Sequence, residues 1–315
     1  MFRKMIALLV ALCLALTLTA ALAETAPVRV GALKGPTGMG MVRMMKDKTD
    51  AYAYTLAGAP DEMVTALAKG ELDIAAVPAN LGAVLYNKIG VRVLAVNVLG
   101  VLYIAERGDT VHSVADLKGR TLVTAGKGAT PEYALNYILR GNGLDPEKDL
   151  TIEFKSEHAE CLAAMLQDDS IVAMLPQPFA ATAQSKAEDL RIALDLTKEW
   201  DALQASAEAP SAMITGAIVA RADFVDQNPE AVQRFMDDCA ESVAFVQQNT
   251  EEAAQLIGEF EIVPAAVAEK ALPYCNIVFI TGEEMRGMLG GYLNELFNQD
   301  PAAVGGAVPG EDFYY

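Results

Sequence analysis

Four short turns hold the residues whose types and spacing offer chemistry in this chain. Residues 35–40 read GPTGMG, 78–80 read PAN, 126–130 read GKGAT and 176–178 read PQP. Each follows an apolar run that reads as a strand and opens a pattern that reads as a helix. A helix start presents free backbone N–H groups and a positive dipole end, which favour an anionic or strongly hydrogen-bonding group. In the first turn Gly35, Gly38 and Gly40 let the backbone approach a ligand, with Pro36 and Met39 beside them; the Thr37 hydroxyl serves as a helix cap or as a ligand contact. In the second, Pro78 and Ala79 lead to Asn80, a good N-cap and also a donor and acceptor aimed at a ligand. In the third, Lys127 stands before Gly128 and Ala129 as a positive charge for the site or as a solvated surface lysine. Thr130 follows as a cap or contact, with Pro131 suited to the first helical position. The fourth supplies Gln177 and Pro178. Met39, Tyr133 and Phe179 sit at or just after the turns, as apolar walls of a site or as core.

Other reactive types are scarce. The chain has two histidines, His112 and His158, and four cysteines, Cys13, Cys161, Cys239 and Cys275. His158 and Cys161 have a helical spacing able to share one metal, but no second pair completes a tetrahedral set. Cys239 and Cys275 fall in one helical region and could pair in an exported fold; buried free thiols are the other reading for all three later cysteines. There is no GxSxG nucleophile turn. Gly126 and Lys127 resemble part of a phosphate loop, but Thr121 stands where its first glycine belongs and Gly128 where its Ser/Thr belongs. The residues therefore point to binding, with no catalytic set, metal or cofactor expected.

The elements that position the turns repeat. Residues 55–80 and 153–178 align without a gap as strand end, polar turn, Ala/Leu-rich helix, turn, strand and proline, pairing Glu62 with Glu160 and Pro78 with Pro176. The first unit reads as strands at 28–33, 51–56, 73–77 and 92–98 with helices at 38–46, 61–69 and 80–88. The second reads as strands at 121–124, 151–154, 171–175 and 191–194 with helices at 131–140, 157–167 and 178–186. Alternating strands and helices imply parallel sheets covered on both faces. An apolar extended stretch with Gly100 in its middle leaves the first unit, and another with Gly216 in its middle follows the second; side by side they make a two-stranded hinge. Helices at 229–248, 251–260, 264–272 and 283–297 then return to cover the first unit. Trp200, in a loop-like DLTKEW stretch, lines the cleft or covers a sheet edge. In open α/β sheets ligands bind beyond the carboxyl ends of the strands, where all four turns fall.

Residues 1–23 have the character of a cleaved secretory signal: Arg3 and Lys4, an apolar run, then Ala21, Leu22 and Ala23. Lipid attachment through Cys13 is disfavoured by Leu12, where a small residue is expected. Residues 24–315 carry 22 basic and 42 acidic residues, a charge of −20. That balance argues against nucleic acid or an anionic membrane as partner, since both need clustered Lys and Arg.

The order of these elements, the DLKG turn from Asp116 to Gly119, the MLPQPFA stretch from Met174 and the tail GGAVPGEDFYY from Gly305 resemble the type II periplasmic-binding-protein family. Within it the chain is most similar to the branch serving aliphatic sulfonate, nitrate and thiamine-precursor importers. The similarity covers essentially the whole of residues 24–315. It departs at Gln177, where many relatives carry an acidic residue. The resemblance implies an α/β fold of two Rossmann-like lobes, the first from residues 24–99 and 217–315 and the second from 100–216, joined by a two-stranded hinge with a ligand cleft between them. It implies a monomer, in the periplasm or on the extracellular face of the envelope, that binds a small anionic or heterocyclic solute and delivers it to the membrane permease of an ABC importer. The alternatives are a precursor-converting enzyme on the same fold and a solute-sensing subunit of a signalling system.

Overall fold

The computed structural model describes residues 26–205 and 211–315. The expected signal at residues 1–23, with Cys13, lies outside the described residues. The first unit runs β1 (Val28–Leu33), α1 (Pro36–Met39), α2 (Val42–Asp47), β2 (Tyr52–Ala57), α3 (Pro60–Ala68), β3 (Ile74–Pro78), α4 (Ala79–Ile89) and β4 (Val91–Leu99). The chain then crosses to β5 (Leu102–Arg107), β6 (Thr121–Ala125), α5 (Thr130–Gly141), β7 (Thr151–Lys155), α6 (His158–Gln167), β8 (Ile171–Pro176), α7 (Phe179–Lys186), β9 (Leu190–Asp195) and α8 (Leu196–Gln204). It returns through β10 (Ile214–Arg221), α9 (Ala222–Gln227), α10 (Pro229–Gln248), α11 (Thr250–Glu259), α12 (Ala265–Ala271), β11 (Ile277–Ile280) and α13 (Gly282–Gln299), ending in 3-10 turns at Pro301–Val304 and Glu311–Phe313.

Two sheets result, in the orders β11-β4-β10-β3-β1-β2 and β7-β6-β8-β5-β9. Written in reverse, the second matches the last five strands of the first position for position. In each sheet the strand delivered by a crossing, β10 or β5, lies antiparallel beside the third strand of the unit. The aligned prolines occupy equivalent ends: Pro78 pairs with Gly216, and Pro176 with Leu102. The aligned glutamates share a task as well, since Glu62 accepts from Ala59 N and Glu160 from Ser156 N at the starts of their helices. These carboxylates satisfy N–H groups that a helix start leaves free.

Strands buried on both faces need apolar residues throughout, and Ile74 to Val77 of β3 are fully buried. Helices bury one stripe: α10 places Val232, Phe235, Cys239, Val243 and Val246 against the first sheet and its flanking helices. One apolar cluster continues from the first unit into the second, through Val77, Leu102, Tyr133, Met174, Trp200 and Tyr292. The two units are thus packed together in this structure.

Several elements differ from the sequence reading. The helix expected at 38–46 is two pieces, α1 and α2, because Ser242 of α10 inserts at the break: its hydroxyl donates to Gly40 O at 2.8 Å and accepts from Met44 N at 3.3 Å. The DLTKEW stretch is helical, opening α8, with Asp195 capping it through Thr197 N. Trp200 in that helix is completely buried, 4.2 Å from the Tyr137 ring and 5.5 Å from that of Tyr292, and its indole N–H donates to Ser211 O. It therefore lies in the packed interface and not at a sheet edge. The four-residue strand β11 was not anticipated. Cys161, Cys239 and Cys275 are free and buried, with the Cys239 and Cys275 thiols pushed up to about 12 by burial.

Candidate functional site

All four turns lie at the carboxyl ends of β1, β3, β6 and β8, and the two sheets turn these edges toward each other. At the end of β1, Pro36 opens the single-turn helix α1. A side chain at Gly38 would place its Cβ 2.6 Å from Leu33 O, so the turn is closed too tightly for any other residue. Met39 is fully buried in the core beneath the turn. Thr37 is buried and does not cap α1; its hydroxyl has no hydrogen-bond partner, while its carbonyl accepts from Asn97 Nδ2 at 3.3 Å.

Asn97 belongs to β4 and is buried. A carbonyl can only accept, so the contact with Thr37 O fixes which end of the Asn97 amide is nitrogen. The other end, Oδ1, is buried without a partner. Gly216 of β10 lies against both residues: a Cβ there would come within 2.7 Å of Asn97 Oδ1 and 2.8 Å of Thr37 Cγ2. Thr37, Asn97 and Gly216 thus form one buried polar corner with two unmet hydrogen-bonding atoms, an unusual arrangement in a packed interior.

At the end of β3, Pro78 precedes α4, and Ala79 and Asn80 are its first two residues, both buried. Asn80 does not cap the helix. Its Nδ2 donates to Ala303 O at 3.2 Å, and its Oδ1 accepts from the Thr130 hydroxyl at 3.2 Å. Thr130 is the first residue of α5, and Ala129 occupies the N-cap position without a side-chain bond. Tyr292, wholly buried beside Thr130, has its hydroxyl without a partner of good geometry, and burial raises its pKa well above the ordinary tyrosine value. Nearby, Tyr133 OH donates to Asp300 Oδ2 at 3.2 Å; burial, then Asp300, pushes its pKa up to about 12. Contacts from α5 to Asn80 and Asp300 hold the units edge to edge.

The remaining predicted residues make contacts of their own. Gly126 and Gly128 have positive φ of 85° and 74°, and Gly128 N donates to Glu132 Oε2. Lys127 between them is exposed, its ammonium 5.7 Å above the Phe154 ring. Gln177 N donates to Val101 O, and its Oε1 accepts from Ala181 N, just past Pro178. Gln177 also borders a hollow of about 470 Å³ beside the crossing, with Tyr103, Asp195, Lys198 and Tyr274. Phe179 lies 5.4 Å from the His158 ring, and burial lowers the His158 pKa to about 4. Sequence reasoning missed Asn97 and Tyr292. Asn97 left a signal, a lone amide in an apolar strand; Tyr292 left none.

The sequence profile of a family described as ABC transporter, phosphonate, periplasmic substrate-binding protein matches residues 44–269. The chain belongs to this family. As a periplasmic substrate-binding protein it is the component of an ABC importer that takes up a small solute. No curated protein matches the sequence. Among solved structures, an ABC transporter protein from Parabacteroides distasonis is similar at 23% identity over 92% of this chain and 99% of that one, with a TM-score of 0.78. The periplasmic aliphatic sulphonate binding protein SsuA from Escherichia coli is 18% identical over 88% of each chain, TM-score 0.70. The periplasmic nitrate-binding protein NrtA from Synechocystis is 17% identical over 78% of this chain and 69% of that one, TM-score 0.59. These likenesses establish the two-lobed α/β fold. Among the described residues no helix is long and apolar enough to cross a membrane.

Proposed function

We propose that this substrate-binding protein takes its solute between the carboxyl edges of the two sheets, closes about the crossings at Gly100 and just before Ile214, and presents the closed form to a membrane permease. The lobes are residues 24–99 with 214–315, and residues 100–213; the expected boundary after Gly216, and Gly216 as a hinge glycine, do not hold because Ile214–Arg221 is β10, paired within the first sheet. The protein works as a monomer outside the cytoplasmic membrane and leaves its solute chemically unchanged, in keeping with the family to which it belongs. The observation that carries this reading is the buried corner of Thr37 and Asn97, whose unmet atoms lie on the same edge of the first sheet from which Asn80 reaches Thr130. Solute drives closure through the contacts it makes only in the closed arrangement.

The test is thermal unfolding of residues 24–315 with a panel of phosphonates, sulfonates, nitrate, pyrimidines, amino acids and carboxylates, paired with small-angle scattering. A solute at 100 times its dissociation constant adds about 2.7 kcal/mol and raises the unfolding midpoint. The same solute is expected to reduce the radius of gyration. Stabilisation with no change in shape would refute closure.

A further inference from the structure

We propose that the solute carries a hydrogen-bond donor, an N–H of an amide, imide or amino-heterocycle, that meets Asn97 Oδ1, and next to it an acceptor that takes the Thr37 hydroxyl. This rests on the solute-capture reading above and narrows it to a chemical class. The corner consists of one obligate acceptor and one hydroxyl, both buried and both without partners. The Asn97 amide cannot turn over to offer its nitrogen instead, because Nδ2 is committed to Thr37 O.

A fully ionised oxyanion brings only acceptor oxygens, and its lone pairs would face those of Asn97 Oδ1. Such an ion is ordinarily met by buried cations or a fan of donors. Here the buried polar and charged residues are Thr37, Asp73, Asn80, Asn97, Glu106 and others of neutral or acidic type, with no lysine or arginine among those described. The two lysines closest in sequence to the turns, Lys34 and Lys127, are both exposed. At the corner itself the donor and acceptor requirement is therefore set by these two neutral groups. An adjacent N–H and C=O pair, as on the edge of a pyrimidinone or a primary amide, complements it. Gly216 keeps the β10 side of the corner free of any Cβ, which would press on Asn97 Oδ1 and Thr37 Cγ2 together.

The experiment compares two probe sets by thermal unfolding and titration calorimetry: uracil, cytosine and nicotinamide against methylphosphonate, methanesulfonate and nitrate. The first set is expected to include a binder and the second none. For the uracil edge, 1,3-dimethyluracil removes both N–H groups from the ligand side, and at least about a tenfold loss is expected, since a site built to bond an N–H rejects the analogue lacking it. In N97A the penalty for methylation should disappear, the signature of a direct pair. T37V removes a hydroxyl that has no partner within the protein, so it should fold normally yet bind more weakly. Binding by the oxyanions with none by the N–H set overturns the inference and leaves solute capture standing. An equal methylation penalty in N97A also overturns it. No stabilisation by either set counts against both readings.

Discussion

The Thr130 hydroxyl donates to Asn80 Oδ1 at 3.2 Å, tying the first turn of α5 on one sheet to the first turn of α4 on the other. Asn80 is also held from behind by its bond to Ala303 O, so it meets Thr130 in a fixed orientation. Neither residue caps its helix, which frees both to act between the units.

The T130V variant should therefore lose affinity without losing stability. Valine keeps the shape and deletes a bond present only when the edges meet, a change worth about 1 kcal/mol or roughly fivefold in affinity. Calorimetric titration with any stabilising solute measures this. A lower unfolding midpoint in the solute-free protein, with affinity unchanged, would make Thr130 a packing residue only. N80A should do both, since it also leaves Ala303 O without its donor.

Gly216 should not tolerate a methyl group. The added Cβ would sit 2.7 Å from Asn97 Oδ1 and 2.8 Å from Thr37 Cγ2, and such overpacking costs about 1–3 kcal/mol. Denaturant unfolding should show that loss for G216A. Gly58 has nothing within 4 Å of its Cβ position, so G58A should be near neutral in the same assay.

How far these features were legible in the sequence differs from one to the next. The pairing of Glu62 with Glu160 and Pro78 with Pro176 located equivalent helix starts and strand ends, because capping and strand termination are local. α8 escaped notice because its buried residues, Leu196, Trp200 and Gln204, form a single narrow stripe within a polar stretch. β11 pairs with β4 through Ile277 and Ile280, too little to mark a four-residue run as a strand. The break between α1 and α2 depends on Ser242, some two hundred residues away. For the site, Thr37 and Asn80 were legible as polar residues at turns, but whether each is satisfied or left open depends on tertiary partners. Lys127 stood open between a site charge and a solvated lysine, and its exposed ammonium, 5.7 Å above the Phe154 ring at the carboxyl end of β7, depends on a neighbour that the flanking glycines could not reveal.

Trp200 should report closure. It is the chain's one tryptophan, packed between Tyr137 of α5 and Tyr292 of α13. Separation of the units exposes the indole on its Tyr292 side, so its emission should lie further to the red without solute and move to the blue on saturation. An emission spectrum that is the same in both states would show that the units do not part at this point.

Acid should weaken the fold through His158. Burial lowers its pKa from 6.5 to about 4, so the folded protein refuses a proton that the unfolded chain accepts. The stabilisation is complete above pH 6.5 and is lost as pH falls toward 4, by at most about 3 kcal/mol. Replacing His158 with glutamine should flatten unfolding free energy against pH in that window; an unaltered slope would assign the acid sensitivity elsewhere.

The exchange of strands at the crossings has a consequence for how the chain acquires its shape. The sheet of β5 to β9 is made from one continuous run of sequence, so it is complete as soon as that run is available to fold. The other sheet has β10 between β4 and β3, and until residue 221 is available β3 has one bare edge and β4 has no partner at all, since its other neighbour β11 comes later still. The part of the protein that begins first is thus obliged to finish last.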